Sequence, residues 1–434
     1  MAALGELIGG ERLQRLARFR RSPRGRKPRV PLTQLLPALI FHFINDAGTL
    51  AEHLWALYQT PLADSSWSDR RERLPWEVFL ELMQRVLRAR VVRRRHPEGF
   101  WRGWRLIALD GTQFSVTNTP IIKATQNKAK SRRGRAAFAK IVTSVLLEVG
   151  LHNPVAAAIG HKGQSEWQLS LSLLAQLPRR ALLLADRLYG CAAFAWHAFQ
   201  TCQRVGSHLL LRARTQIKVK VVRRLPDGSR LVRVPVRQKG KPRVILHWLE
   251  LREIRFGVGR KGFRSVEVRL WTSLLDDKQA PAEELAQLYA KRWEHELFYR
   301  ELKHQLRKTE VLQSHTMETA AQEIASLMVA AALLAQERDR AAAGKVPVLR
   351  VSFIKLLELM RPLWLVLALG DDLLEEWQKQ QLTERCYAQA RHCVSAKRRS
   401  RSCPRAVRQP VSGWPRLLKN TSCEQPLDIT LVQP

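Results

Sequence analysis

Three acidic residues stand where a carboxylate could hold a metal ion. Asp110 closes the apolar run WRLIALD ahead of a Gly-Thr turn, and Asp186 closes ALLLAD ahead of RLYG. An Asp at a strand end is often only a turn former, but open α/β sheets gather ligands at the carboxyl ends of their strands, and here two apolar strands end in Asp. A third acid, Glu296, lies in YAKRWEHELFYRELKHQLRK. There Tyr289, Arg292, Glu296 and Lys303 are separated by three, four and seven residues, so at about 3.6 residues per turn they form one helical stripe. Glu294 and Glu301 lie on the same segment but off the stripe, and ordinary helix salt bridges are the alternative use of such charges. Three carboxylates offer the oxygen ligands that hard divalent cations prefer. Two such ions about 4 Å apart can activate a water, or a DNA 3′-hydroxyl in its place, for in-line displacement at phosphorus.

These residues need strands and a helix to position them. WRLIALDGTQFSV, FAKIVTSVLLEV and PVAAAIGH have strand length and composition; a helix is expected from Glu166 to Leu177, then the strand ALLLAD, a helix over 192–205 and a strand over 207–213. An antiparallel start followed by alternating strands and helices predicts an α/β domain with a mixed sheet. From 215 to 269 the texture is all-β and basic, with Asp227-Gly228 as the turn of a hairpin. Trp248 in this stretch and Trp271 just after it are both expected in the core. Helical spacing returns from Pro281 to Leu306, from Met317 to Ala335, and in two further segments, 352–369 and 372–390. Ahead of the first strand, 31–58 and 75–90 also carry helical patterns, the second running into Arg93, Arg94 and Arg95.

The chain of 434 residues fits two to four domains. Its 74 Lys and Arg against 38 Asp and Glu leave a net charge of +36, which repels itself unless a polyanion neutralises it. Nucleic acid is the natural counter-charge, although basic RNA-binding proteins share the signature. The basic residues cluster in an arm over 11–29, in the loop KATQNKAKSRRGR with Lys128, Lys130, Arg132 and Arg133, and in a tail over 397–434. A membrane span needs about 20 apolar residues. The stretches 35–44 and 325–334 fall short and read as buried helices. The N-terminus lacks the pattern of a secretory signal, and six scattered cysteines are expected to stay reduced, so a cytoplasmic protein without membrane contact is predicted.

The sequence resembles the insertion-sequence transposases typified by insertion sequence four, an acidic-triad (DDE) family. Their mark is Tyr, two residues, Arg, three residues, Glu, six residues, Lys, and Tyr289, Arg292, Glu296 and Lys303 match every spacing. DGT at Asp110, ADRLYG around Asp186, HKGQSEW before it and the strand-rich stretch ahead of the Glu helix extend the resemblance over roughly 33–340. It implies an RNase H-like mixed-sheet α/β core interrupted by a β-strand insertion, with helical regions at both ends. Asp110, Asp186 and Glu296 are then catalytic ligands of two Mg²⁺ ions, with Mn²⁺ as a substitute. Tyr289, Arg292 and Lys303 contact DNA phosphates, joined by Lys128, Lys130, Arg132 and Arg133. Some relatives hold a flipped base with an aromatic in the insertion.

The expected organisation is a basic arm and helical DNA-binding region over 1–103, a first part of the catalytic core over 104–213, and a β-rich insertion over 214–271. A second core part with the Glu helix follows over 272–345, then a C-terminal helical region over 346–396 and a basic tail without fixed structure over 397–434. The implied partners are double-stranded DNA, as terminal inverted repeats and target, and a second copy of the chain in a synaptic homodimer. In a bacterium the protein would associate with the nucleoid when bound to DNA. A metal-dependent nuclease that does not join strands, and a domesticated DNA-binding protein without catalysis, remain open readings.

Overall fold

The computed structural model describes residues 13, 15, 16, 30–45, 47–125, 130–131, 134–135, 138–259, 266–307, 309–396 and 428–431. The fold is mixed α/β, as expected, and divides into two compact units. The first comprises residues 1–184, 200–207 and 291–394; the second comprises 185–199, 208–290 and 395–434.

The sheet of the first unit is built from β1 (Phe100–Trp101), β2 (Trp104–Val116), β5 (Ala139–Glu148), β6 (Asn153–Ile159) and β7 (Ala181–Ala185), while β3 (Lys130–Ser131) and β4 (Gly134–Arg135) pair separately as a short hairpin. The strand order is β6-β5-β2-β7, so the first long strand lies inside the sheet and the hairpin partners follow to one side. β2 pairs antiparallel with β5, with Asp110 opposite Val145, Gly111 opposite Ser144 and Thr112 opposite Thr143. The strand runs on to Val116, so Asp110 stands mid-strand and not ahead of a Gly-Thr turn as expected, because the ladder with β5 continues through Asp-Gly-Thr. The strand Val311–Leu312 adds to β2 in parallel at Ser115 and Val116, which makes the sheet mixed. Leu106 to Leu109 and all of β7 are buried, as fits strands covered on both faces.

One helix organises the remainder of this unit. Met317–Ala342 is capped by Thr316, whose hydroxyl accepts the Thr319 N–H at 3.1 Å, a contact worth about 1 kcal/mol. It is apolar nearly all round and buried along almost its whole length, the pattern of a central core helix. Its 26 residues exceed the length read from the sequence and suffice by length and composition to cross a membrane, but 89% of its most apolar window is buried within the fold. Leu32–Ile44, Leu50–Tyr58, Trp76–Val86 and Phe353–Leu369 contribute to one continuous core with it and with one face of β2 and β5. Buried Arg71 fixes this packing by donating to Ser314, Gln322 and the Thr319 carbonyl. Glu148, fully buried, accepts from the Arg90 and Val91 amides, from Asn153 and from Arg105, tying the Arg-rich connection after Trp76–Val86 to the sheet.

The second unit carries a five-stranded antiparallel arrangement of β8 (His208–Arg212), β9 (Lys220–Arg224), β10 (Arg230–Gln238), β11 (Lys241–Gly259) and β12 (Val266–Thr272), in the order β8-β12-β11-β10-β9. The hairpin turns at Asp227-Gly228 as expected, with Gly228 at φ 80°. Asp227 accepts from the Ser229 N–H, pairs with buried Arg252 and caps the Ala282 N–H. The turn therefore anchors the start of the helix Ala282–Tyr289. Glu253 is the second buried charge centre, held by Arg230, Arg255, Arg269 and the Trp271 indole N–H; such a group is tolerated inside only because its oxygens are all met. Of the tail expected to lack structure, the described residues Asp428–Leu431 form a strand paired with β11, and 397–427 lie outside the described residues.

Candidate active site

In the first unit the acid-bearing segment is not one regular helix, as the even spacing of its stripe had predicted. Residues Ala290–Trp293 form a 3₁₀ turn, Glu294–Arg300 an α-helix and Glu301–Leu306 a π-helix. Single π turns commonly mark functional sites. Two contacts lay this segment over β2 and β5 where Asp110 stands: the Tyr299 hydroxyl donates to the Asp110 carbonyl at 2.8 Å, and His295 Nε2 donates to the carbonyl of Val145, the cross-strand partner of Asp110, at 3.1 Å. Burial, opposed by that hydrogen bond, lowers the His295 pKa to about 3 and keeps the ring neutral.

The consequence is a convergence of charge. Arg292 NH1 lies 3.4 Å from Asp110 Oδ2 and its NH2 lies 3.2 Å from Glu296 Oε1. Asp110 Oδ1 meanwhile accepts the Gly111 N–H at 2.9 Å. Two acids from distant parts of the sequence thus share one cation, and the side chains of Arg292, Asp110 and Glu296 are only 10%, 16% and 19% exposed. Arg292 serves here as a carboxylate partner, a role its stripe position left open beside phosphate contact. Lys303, shifted off the regular spacing by the wider π turn, donates to the Gln113 carbonyl at 2.8 Å and lies over the Phe114 ring. Burial first, then the nearby charges of Arg307 and Lys140, lower its pKa to about 8.

Glu294 and Glu301 are turned elsewhere. Both bind His152, at 2.8 and 2.7 Å, and Glu301 also takes Arg338 at 3.1 Å. Sequence reading missed His152, because a single His in a turn carries no pattern. The seven-residue interval between Glu294 and Glu301 was the available signal that a second face of the helix had a partner.

Gly111 of the DGT run leaves room for the Glu166 side chain, which a larger residue would have to displace. A Cβ there would lie 2.2 Å from the Glu166 side chain, which the helix Glu166–Leu174 carries over the strand. Ser165, in the HKGQSEW run, caps that helix reciprocally with Gln168, so the run encodes a helix start.

Within the second unit, Asp186 directly follows β7, and its Oδ1 accepts the Leu188 N–H at 2.7 Å in the turn of RLYG. Arg214 donates to the Leu188 and Arg187 carbonyls and fixes this turn. Gly190 is required because a Cβ would lie 1.9 Å from the Arg212 carbonyl oxygen. The Tyr289 hydroxyl donates to the Ala185 carbonyl at 3.3 Å, the peptide immediately before Asp186. Trp271 is fully buried, as expected, but Trp248 is half exposed. Its part of β11 carries Val244, Leu246, His247 and Trp248 all exposed; Trp248 pairs with Pro235 of β10, while the pairing of β11 with β12 spans only Arg252 to Val258. Next to it, His247 stacks on Trp196 at 4.4 Å.

The loop residues Lys128, Arg132 and Arg133 lie outside the described residues, and of Lys130 only its place in β3 is described. Among the described residues, no three His, Cys, Asp or Glu side chains group as metal ligands. The donor chemistry of Asp110 and Glu296 nevertheless fits a cation, because their oxygens already converge on one, the Arg292 guanidinium.

A mixed sheet with an acid midway along its inner strand, facing a second acid on a crossing helix, defines an acid-centred α/β protein. The chain belongs to the transposase DDE domain family, whose sequence model matches residues 101–334. It is 26% identical over 276 residues to the transposase InsG for insertion sequence element IS4 of Escherichia coli (strain K12), a match covering 62% of this chain and 60% of InsG. It is 29% identical over 96 residues to the putative transposase InsZ of the same organism, covering 22% of this chain and 32% of InsZ. The matches thus span less than two thirds of either relative. A chain of the cryo-EM structure of the piggyBac transposase synaptic complex with hairpin DNA aligns over 89% of this chain and 84% of its own, at 7% identity and a TM-score of 0.49.

Proposed function

We propose that this chain is an insertion-sequence transposase with an RNase H-like catalytic core, which binds terminal inverted repeats and cuts and joins DNA strands using Asp110, Asp186 and Glu296. The observation that carries this reading is the pairing of Asp110 and Glu296 on one guanidinium, since oxygens held around a common cation can be transferred to a divalent one. Asp186 joins them in the proposal through the resemblance of ADRLYG to the second acid of the family. Mg²⁺ or Mn²⁺ bound as a pair would activate a water or a 3′-hydroxyl and stabilise the leaving oxygen. The chain's own residues supply the geometry: Tyr299 and His295 fix the helix against the strand, and the Leu188 N–H orients Asp186. Released from the carboxylates, Arg292 can hold a DNA phosphate through two parallel hydrogen bonds. Tyr289, Lys303 and the loop cations Lys128, Lys130, Arg132 and Arg133 would extend that grip, and Trp248, half exposed in the β-rich stretch, would stack on a base. The net charge of +36 fits a polyanionic partner of this kind. The reading includes the regional organisation set out from the sequence, a homodimer in the synaptic complex, and action on the nucleoid in the bacterial cytoplasm.

A labelled duplex carrying the terminal repeat tests it. Mg²⁺-dependent nicking and joining to a target plasmid are expected, with Asp110→Ala, Asp186→Ala and Glu296→Ala each abolishing both while duplex binding persists. Nicking without joining would support a nuclease, and binding without either would support a non-catalytic DNA-binding protein.

A further inference from the structure

His152 sits in the turn between β5 and β6 with a left-handed backbone (φ 53°), and its side chain is 2% exposed. Its Nε2 lies 2.8 Å from Glu294 Oε2 and its Nδ1 lies 2.7 Å from Glu301 Oε2. A carboxylate can only accept, so both ring nitrogens donate and the group is an imidazolium. Burial by itself would favour the neutral ring, but the two carboxylates outweigh it and raise the His152 pKa, while Glu301 is held at about 2 against its own desolvation. Arg338 continues the chain of contacts from Glu301 to the Val351 and Leu349 carbonyls, at 2.9 Å each. Glu294 and Glu301 stand about two turns apart and so share a face, whereas Glu296, two residues beyond Glu294, points roughly 200° away. One buried cation therefore grips the rear of the acid-bearing helix at two heights.

We infer that His152 is a positioning residue for Glu296: by holding Glu294 and Glu301 at once it fixes the rotation of the segment and keeps the Glu296 carboxylate in its place beside Arg292 and Asp110. The inference rests on the assignment of Glu296 proposed above. A long single hydrogen bond would leave the helix free to turn about its axis. Two bonds two turns apart remove that freedom, and the π-helix that begins at Glu301 lies directly under the second.

The full-length chain tests this through His152→Asn and Glu294→Ala. Asn accepts the left-handed turn readily but is too short to span both carboxylates; Glu294 is about one-quarter exposed, so its truncation leaves the fold in place. Amide hydrogen exchange over 294–300 in metal-free protein should speed up by about ten-fold or more in His152→Asn and less in Glu294→Ala, on the scale of a lost charged contact. Mn²⁺ affinity, read by electron paramagnetic resonance, should weaken in the same order while duplex affinity stays at the parental value. Parental exchange over 294–300 together with parental Mn²⁺ affinity, whatever the melting temperature, would overturn the inference and leave His152 a packing residue. If His152→Asn does not fold, Glu294→Ala decides by the same two readings. Glu296→Ala is the control: parental Mn²⁺ binding in that variant would bring down the assignment of Glu296 and the inference with it, whereas the exchange data report on the clamp separately.

Discussion

Arg292 reaches Asp110 across 182 residues of sequence, NH1 to Oδ2 at 3.4 Å, while its other terminal nitrogen holds Glu296 at 3.2 Å. The guanidinium thereby neutralises two acids that would otherwise face each other in a partly buried site. Arg292→Ala should lower stability in EDTA by about 1–3 kcal/mol, less than for a fully buried pair because the site retains some solvent contact. Millimolar Mn²⁺ should restore part of the loss by replacing the missing positive charge. Calorimetry with and without the ion checks this. Equal melting of variant and parent in EDTA would show that the guanidinium does not carry the carboxylates in solution.

Lys303 supplies a pH dependence with a defined sign. Its folded pKa is about 8 against an ordinary 10.5, through burial first and then Arg307 and Lys140. Between those values the unfolded chain binds more protons, so this group's contribution makes the fold more stable as pH rises through that window. Its charge, and with it any phosphate contact, fades from about pH 8 upward. Affinity for terminal-repeat duplex should fall between pH 7 and pH 9 more steeply than in Lys303→Arg, which stays charged. Superimposable pH profiles would remove Lys303 from the DNA surface.

The two tryptophans of the β-rich stretch should fail in different ways. Trp271 is fully buried with its indole N–H on Glu253 at 3.0 Å, and Trp271→Ala should cost about 3–5 kcal/mol in urea unfolding. Trp248, half exposed, should tolerate Ala with a melting point close to the parent while end cleavage drops, since base–aromatic stacking is worth about 1–3 kcal/mol per base. Unchanged cleavage by Trp248→Ala would leave that ring without a DNA role.

Gly190 offers a test of the turn behind Asp186. A methyl group at this position meets the Arg212 carbonyl oxygen at 1.9 Å, its carbon at 2.7 Å and the Ala213 Cα at 2.8 Å. Backbone cannot yield as a side chain can, so Gly190→Ala should destabilise by on the order of 2–3 kcal/mol. Urea titration checks the loss. A variant as stable as the parent would mean that this close approach relaxes without cost.

The sequence by itself determined where the principal strands of the sheet would form. Alternation and apolar runs marked β2, β5, β6 and β7, and Asp227-Gly228 marked the hairpin, because these features depend on near neighbours along the chain. The spacing of Arg292 and Glu296 likewise foretold their contact, a one-turn pair. Tertiary structure decided what each charge does. That Arg292 also holds Asp110, that Glu294 and Glu301 turn to His152, and that the segment passes through 3₁₀, α and π turns are set by groups far away in sequence. Trp248 and Trp271 show the same division: both sit in strands of apolar texture, but only the packing of the sheet decided which of the two strand segments would be covered.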